Sequence, residues 1–349
     1  FTADAASQDF TINPDPAISS RAILNAVVLH QDPPPVNVSM PFSRQVIQRD
    51  ASNTADIPIS GSFYGTYDRI EARAIVMAGA SNNGTTSDWC TIDDTLSGGT
   101  YSGTLNDVPA GGWYQIEVRS VTGGVSGDTI TVTRVGVGDV YLTCGQSNSS
   151  NRAFPAYSPG EDRFSTCNYA NNAWALAADP MPGASIHPDY PGSVWSRLGE
   201  MLVDRDKVPV AILCFGETGS SVSQWLPATN TLYLRLRSAI QRFPHKGFRG
   251  VLWHQGEANA SANTTAAAYQ SSLTTVITQS RTDAGWTVPW FISEASHIGA
   301  GLAKEEPIVA GQRATIHADP QVFAGPVTDN FHQEGKCYDG THFNAEGLL

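Results

Sequence analysis

Asp139-Val140-Tyr141-Leu142-Thr143-Cys144-Gly145-Gln146-Ser147-Asn148 runs from an apolar, β-prone stretch into a glycine turn that delivers a serine. The first six residues read as a strand, and Gly145 supplies the tight turn that exposes a side chain at the strand's carboxyl end. Downstream, apolar runs at 139–144, 208–215, 250–253, 288–292 and 321–324 alternate with amphipathic segments at 194–206, 231–243, 264–283 and 305–318. Strand and helix alternating in this way predict a five-stranded parallel sheet covered on both faces, a three-layer α/β domain. In such sheets the ligand site lies beyond the carboxyl ends of the strands, which is where Ser147 falls.

Upstream the rhythm is different. Short alternating runs at 22–29, 69–77, 113–121 and 128–137 are separated by turn clusters at Pro33-Pro34-Pro35, Ser81-Asn82-Asn83-Gly84 and Gly123-Gly124. That pattern predicts an all-β sandwich, Ig-like or jelly-roll-like, over residues 1–137, followed by the α/β domain over 138–349. Residues 2–16 read as a leader or an edge strand. A chain of 349 residues is long enough for both parts.

Lys and Arg total 21 against 33 Asp and Glu, a net charge of −12, with no basic cluster, so a nucleic-acid partner is excluded. No apolar run approaches the roughly 18 residues of a membrane span. Charged residues are only 15% of the chain, and Gly, Ser, Thr and Asn are abundant, which points to a secreted or cell-surface protein. The chain starts at Phe1 without a Met, in keeping with a removed leader. Five cysteines at scattered positions make neither a disulfide framework nor a metal site. Cys144 and Cys214 read as buried strand thiols, whereas Cys167 and Cys337, in polar surroundings, are a candidate pair in an oxidising compartment, with the pairing left open by the sequence.

A serine hydroxyl is a weak nucleophile at neutral pH and needs a base, with a third group to orient that base. Asp339-Gly340-Thr341-His342 offers both within one turn: His342 to take and return the proton, Asp339 to hold the ring. The developing oxyanion needs donors aimed in advance. Gly219 follows the second strand and offers a backbone N–H, Gln255 follows the third and offers a side-chain amide, and the Ser147 N–H is a third candidate.

These four segments resemble the blocks of the SGNH hydrolase superfamily. More narrowly they resemble the sialate O-acetylesterase and carbohydrate esterase family six group, with Gly-Gln-Ser-Asn, Gly-Gly-Thr-x-Ile-x-x-Trp, His-Gln-Gly-Glu and Asp-x-x-His. The resemblance spans Gly138 to the C terminus and leaves the first part uncovered. It implies a flavodoxin-like hydrolase domain without a cofactor, with Ser147 as nucleophile, His342 as base, and Gly219 and Gln255 lining the oxyanion hole. The second block departs from the pattern, with Thr218 where the first Gly is usual. Within the resemblance Glu257 of His254-Gln255-Gly256-Glu257 competes with Asp339 as the acid, and the one-turn spacing favours Asp339. Trp225 is a candidate wall of a sugar site, and His254 a candidate brace or substrate contact. The implied reaction is removal of O-acetyl groups from a carbohydrate such as sialic acid, xylan or another surface glycan. The alternative is a carbohydrate-binding or adhesion protein whose α/β domain is catalytically idle. The chain stops at Leu349, where the resemblance begins a final helix, so a longer native protein is expected.

Overall fold

The structure, a computed structural model, describes residues 2–3, 10–11, 35–79, 83–227, 231–299 and 306–349. Contacts divide the chain into Phe1–Pro34 and Pro35–Leu349. In the first unit β1 (Thr2–Ala3) pairs antiparallel with β2 (Phe10–Thr11). The strand expected at 22–29, the turn residues Pro33, Pro34, Ser81 and Asn82, and the helix start expected at 305 lie outside the described residues.

The second unit opens with β3 (Val36–Met40), β4 (Val46–Gln48), β5 (Thr54–Phe63), β6 (Arg69–Val76), β7 (Cys90–Asp93), β8 (Thr100–Pro109), β9 (Trp113–Thr122) and β10 (Val125–Gly145). Strands β3, β5 and β8 form one antiparallel sheet, and β7, β6, β9 and the first half of β10 form another. Alternate residues of the two sheets, among them Ile57, Ile59, Leu105, Ile70, Ala72, Ile116 and Val118, share one buried apolar core.

β10 then continues without a break through the boundary expected at residue 138. Up to Gly136 it pairs with β9, at Gly136–Gly138 it pairs with β4, and from Asp139 it lies in a second, parallel sheet. Its burial shifts accordingly from largely exposed to continuously buried. The change of rhythm in the sequence therefore marks a strand passing from a sheet covered on one face to one covered on both.

The rest of the chain is β11 (Phe164–Asn168), β12 (Ala173–Leu176), α1 (Val194–Asp206), β13 (Val210–Cys214), α2 (Thr231–Ile240), β14 (Gly250–His254), α3 (Glu257–Ser261), α4 (Ala266–Ala284), β15 (Trp290–Glu294), α5 (Glu306–Ala318) and β16 (Val322–Val327). The sheet order is β12-β11-β13-β10-β14-β15-β16, parallel except for β12. Five parallel strands were expected; β11 adds another and β12 an antiparallel edge. Phe-Ser-Thr-Cys-Asn carries too little apolar character to read as a strand, yet its first four residues are buried. The hydroxyl of Thr166 bonds the Ile212 carbonyl at 2.9 Å, which satisfies it inside the sheet.

The two faces of this sheet follow from side-chain alternation. Tyr141, Val210 and Ile212 pack with Trp195, Leu202 and Val203 of α1. Val140, Leu142, Ala211 and Leu213 face the other way, onto a core shared with Leu236 of α2, Leu273 and Ile277 of α4 and Ile308 of α5. Ser193 and Thr265 cap α1 and α4 by accepting from Ser196 N–H and Ala268 N–H.

All described cysteines are free, including Cys167 and Cys337, so the candidate pair is not formed. Cys167 lies in β11, 2% exposed, and not in a loop. Among the described residues no helix is long and apolar enough to cross a membrane.

Candidate functional site

Successive strands depart from β10 in opposite directions, β13 on one side and β14 on the other. That divergence makes the carboxyl end of β10 the topological switch point of the sheet, and Ser147 follows it. Gly145 has φ +139°, and a Cβ there would lie 1.9 Å from the His254 carbonyl oxygen, so only glycine lets the chain turn against the end of β14. Gln146 N–H donates to that same carbonyl at 3.0 Å. Ser147–Ser149 form a single 3-10 turn, closed by Ser150 N–H on the Ser147 carbonyl and anchored by Ser149 Oγ on the Cys144 carbonyl.

The Asp339–His342 turn is built by one carboxylate. Asp339 Oδ1 accepts from the N–H groups of Thr341 (3.0 Å) and His342 (2.8 Å), while Oδ2 meets His342 Nδ1 at 2.6 Å. An acceptor-only carboxylate on Nδ1 keeps the proton there and leaves Nε2 free to accept. His342 Nε2 lies 2.8 Å from Ser147 Oγ. Burial pushes His342 below its usual 6.5, and Asp339 offsets this only in part. Burial works to raise Asp339, but the His342 and Thr341 N–H groups and the His342 ring outweigh it and hold the carboxylate below its usual range.

The turn after β13 is tied to the Ser147 loop. Glu217 N–H and Ser220 Oγ both donate to the Gly145 carbonyl, at 3.0 and 3.3 Å. Thr218, where a glycine is usual, uses its hydroxyl to bridge Ser150 and Ser185. Gly219 sits exposed at φ +74°, and neither its N–H nor that of Ser147 meets an acceptor among the described residues. Two backbone donors thus stay open, one on the serine itself and one in the turn after β13.

Other expected site residues are placed differently. Gln255 is fully buried, and its Nε2 donates inward to Asn259 Oδ1, Gln146 Oε1 and the Ser220 carbonyl, so its amide is committed to the scaffold and not aimed at an oxyanion. Trp225 is 0% exposed, edge-on to Trp253, with its indole N–H on Ser220 Oγ; it is core and no wall of a sugar site. His254, 3% exposed, has Nε2 2.9 Å from Thr328 Oγ1, a contact through which it can brace the site. Glu257 Oε1 takes Asn148 Nδ2 at 3.0 Å, while Asp339 occupies His342 Nδ1.

Two contributors escaped sequence reasoning. Asn148 sits inside the quoted motif, yet nothing in the motif names its partners. Tyr338 directly precedes Asp339; its ring stacks beside His342 at 5.9 Å and against Tyr190 at 4.3 Å. Phe154, 50% exposed, stands edge-on to Tyr190. Among the described residues no three His, Cys, Asp or Glu side chains converge as metal ligands.

The family model described as carbohydrate esterase, sialic acid-specific acetylesterase, matches residues 137–348. No curated protein matches the sequence. Among solved structures the chain is similar to a carbohydrate acetylesterase from Xanthomonas citri, with TM-score 0.56 and 21% identity over 84% of this chain and 69% of that one. A protein from Arabidopsis thaliana gives TM-score 0.48 and 14% identity over 60% and 92%. A family two carbohydrate esterase from Cellvibrio japonicus gives TM-score 0.34 and 13% identity over 84% and 86%. At these identities the first likeness is one of fold.

Proposed function

The chain belongs to the carbohydrate esterase family of sialic acid-specific acetylesterases and is a carboxylic ester hydrolase, and from that premise we propose a Ser-His-Asp mechanism acting on O-acetylated carbohydrate. The observation that carries the reading is the line from Ser147 Oγ to His342 Nε2 (2.8 Å) and from His342 Nδ1 to Asp339 Oδ2 (2.6 Å). Ser147 Oγ attacks the acetyl carbonyl as His342 Nε2 takes its proton, and the N–H groups of Ser147 and Gly219 receive the oxyanion. The tetrahedral intermediate collapses to an acetyl-enzyme as His342 returns the proton to the departing sugar oxygen. Water, deprotonated by His342, then attacks the acetyl-enzyme and releases acetate with Ser147 restored.

The substrate proposed is an acetylated glycan, on sialic acid, xylan or another surface polysaccharide, and the low charge and hydroxyl-rich composition support an extracellular setting. The two sheets built from β3 to β10 are proposed as a β-sandwich support and not as a second catalytic part. The test is acetate release from O-acetylated sugars by the wild type and by Ser147→Ala. Wild-type turnover is expected to fall by about 10³-fold or more in the variant. No release by the wild type from any acetyl ester overturns the reading and leaves the carbohydrate-binding alternative.

A further inference from the structure

Glu257 is buried at 2% exposure and opens α3 directly after β14. Its Oε1 accepts from Asn148 Nδ2 at 3.0 Å, and the same nitrogen donates to the Thr341 carbonyl at 3.0 Å. A side-chain amide has two N–H bonds, so these two acceptors use both. Asn148, 5% exposed, is the residue after Ser147, and Thr341 is the residue before His342. The amide therefore spans the backbones that carry the serine and the imidazole, with the carboxyl of Glu257 behind it. If the amide were reversed, its oxygen would face two acceptors and the span would be lost.

We propose that Glu257 is a positioning residue: through the Asn148 amide it fixes the Thr341 carbonyl, and with it the register of the Asp339–His342 turn against Ser147. This role presupposes ester hydrolysis at Ser147. It differs from that of a triad acid, because Asp339 holds His342 Nδ1, and the imidazole near Glu257 is that of His254, with Nδ1 at 3.9 Å, beyond hydrogen-bond reach. Three segments far apart in sequence, after β10, after β14 and at the C terminus, are thereby held at one point. Thr341 is tied from its other side as well, since its Oγ1 accepts from Gly299 N–H at 2.7 Å.

The test compares Glu257→Gln, Glu257→Ala, Asn148→Ala and the double Ala variant. A glutamine keeps an acceptor at Oε1 and is expected to retain activity within about tenfold, whereas each Ala variant loses roughly 10²-fold in kcat with KM little changed. The double variant is expected to be no worse than either single one, because both break the same span. The His342 Nδ1–H proton resonance is expected to persist in Glu257→Gln and to broaden in Glu257→Ala and Asn148→Ala. Equal damage from Gln and Ala, loss of that resonance in Glu257→Gln, or full activity in Glu257→Ala each overturns the proposal. The resonance needs no turnover, so it separates failure of this inference from failure of the esterase reading.

Discussion

Asp339 does two jobs with two oxygens. Oδ1 builds the turn by taking two backbone N–H groups, and Oδ2 takes the ring N–H of the histidine which that turn presents. Asp339→Asn keeps the size but allows an N–H to face Nδ1, which favours the wrong tautomer; kcat/KM is expected to fall by about 10³-fold or more. The pH profile carries a second sign. His342 lies below 6.5 because burial disfavours its charged form, and Asp339 is the partner that raises it. Wild-type kcat/KM should therefore hold as pH falls to 6.5 and drop only below it, once the imidazole protonates. Removing the carboxylate charge in Asp339→Asn should move that acid limb lower still, as the plateau falls. A limb that moves upward counts against Asp339 as the charge beside His342.

At the scale of elements, the decisive contact is where the end of β10 passes the end of β14. Gly145→Ala puts a methyl group 1.9 Å from the His254 carbonyl in a backbone region that side chains rarely adopt. The strand end has to move, and the Ser147 turn moves with it. A stability loss of about 2 kcal/mol is expected, with kcat lower by roughly 10²-fold, since a 1 Å displacement is enough for that. Urea unfolding and acetate release on the same preparation check both; unchanged kcat would mean that the turn is not set by this contact. Much of this level was legible. Asp139 to Ser147 read as strand, turn and serine because its apolar run and its glycine are local signals. β11 does not read as a strand because its run has little apolar character, and the partner of its Thr166 hydroxyl, the Ile212 carbonyl, lies far along the chain.

At the scale of the molecule, Asp139 joins the two sheet systems that share β10. Buried at 1% exposure, it accepts from Arg49 at 2.8 and 3.1 Å, from Gln48 at 3.1 Å and from Arg249 at 2.7 Å. Gln48 ends β4 and Arg49 follows it, and Arg249 directly precedes β14. Asp139→Ala leaves these donors without their acceptor, and because the arginines keep some contact with water the expected cost is about 2–3 kcal/mol. A lower urea midpoint with an unchanged slope is the predicted result; an unchanged midpoint would show that the cluster does not hold the sheets together.

The sequence by itself determined the α/β class, the place of Ser147 at a strand end, and the one-turn spacing of Asp339 and His342. Each of these rests on a period or a spacing that neighbouring residues express. Only the tertiary structure decided that Gln255 and Trp225 face inward, that Cys167 and Cys337 stay apart, and that Asp339 and not Glu257 meets His342. A side chain's direction and its hydrogen-bond partners depend on segments brought together by folding, and a motif records the residue type without recording what surrounds it.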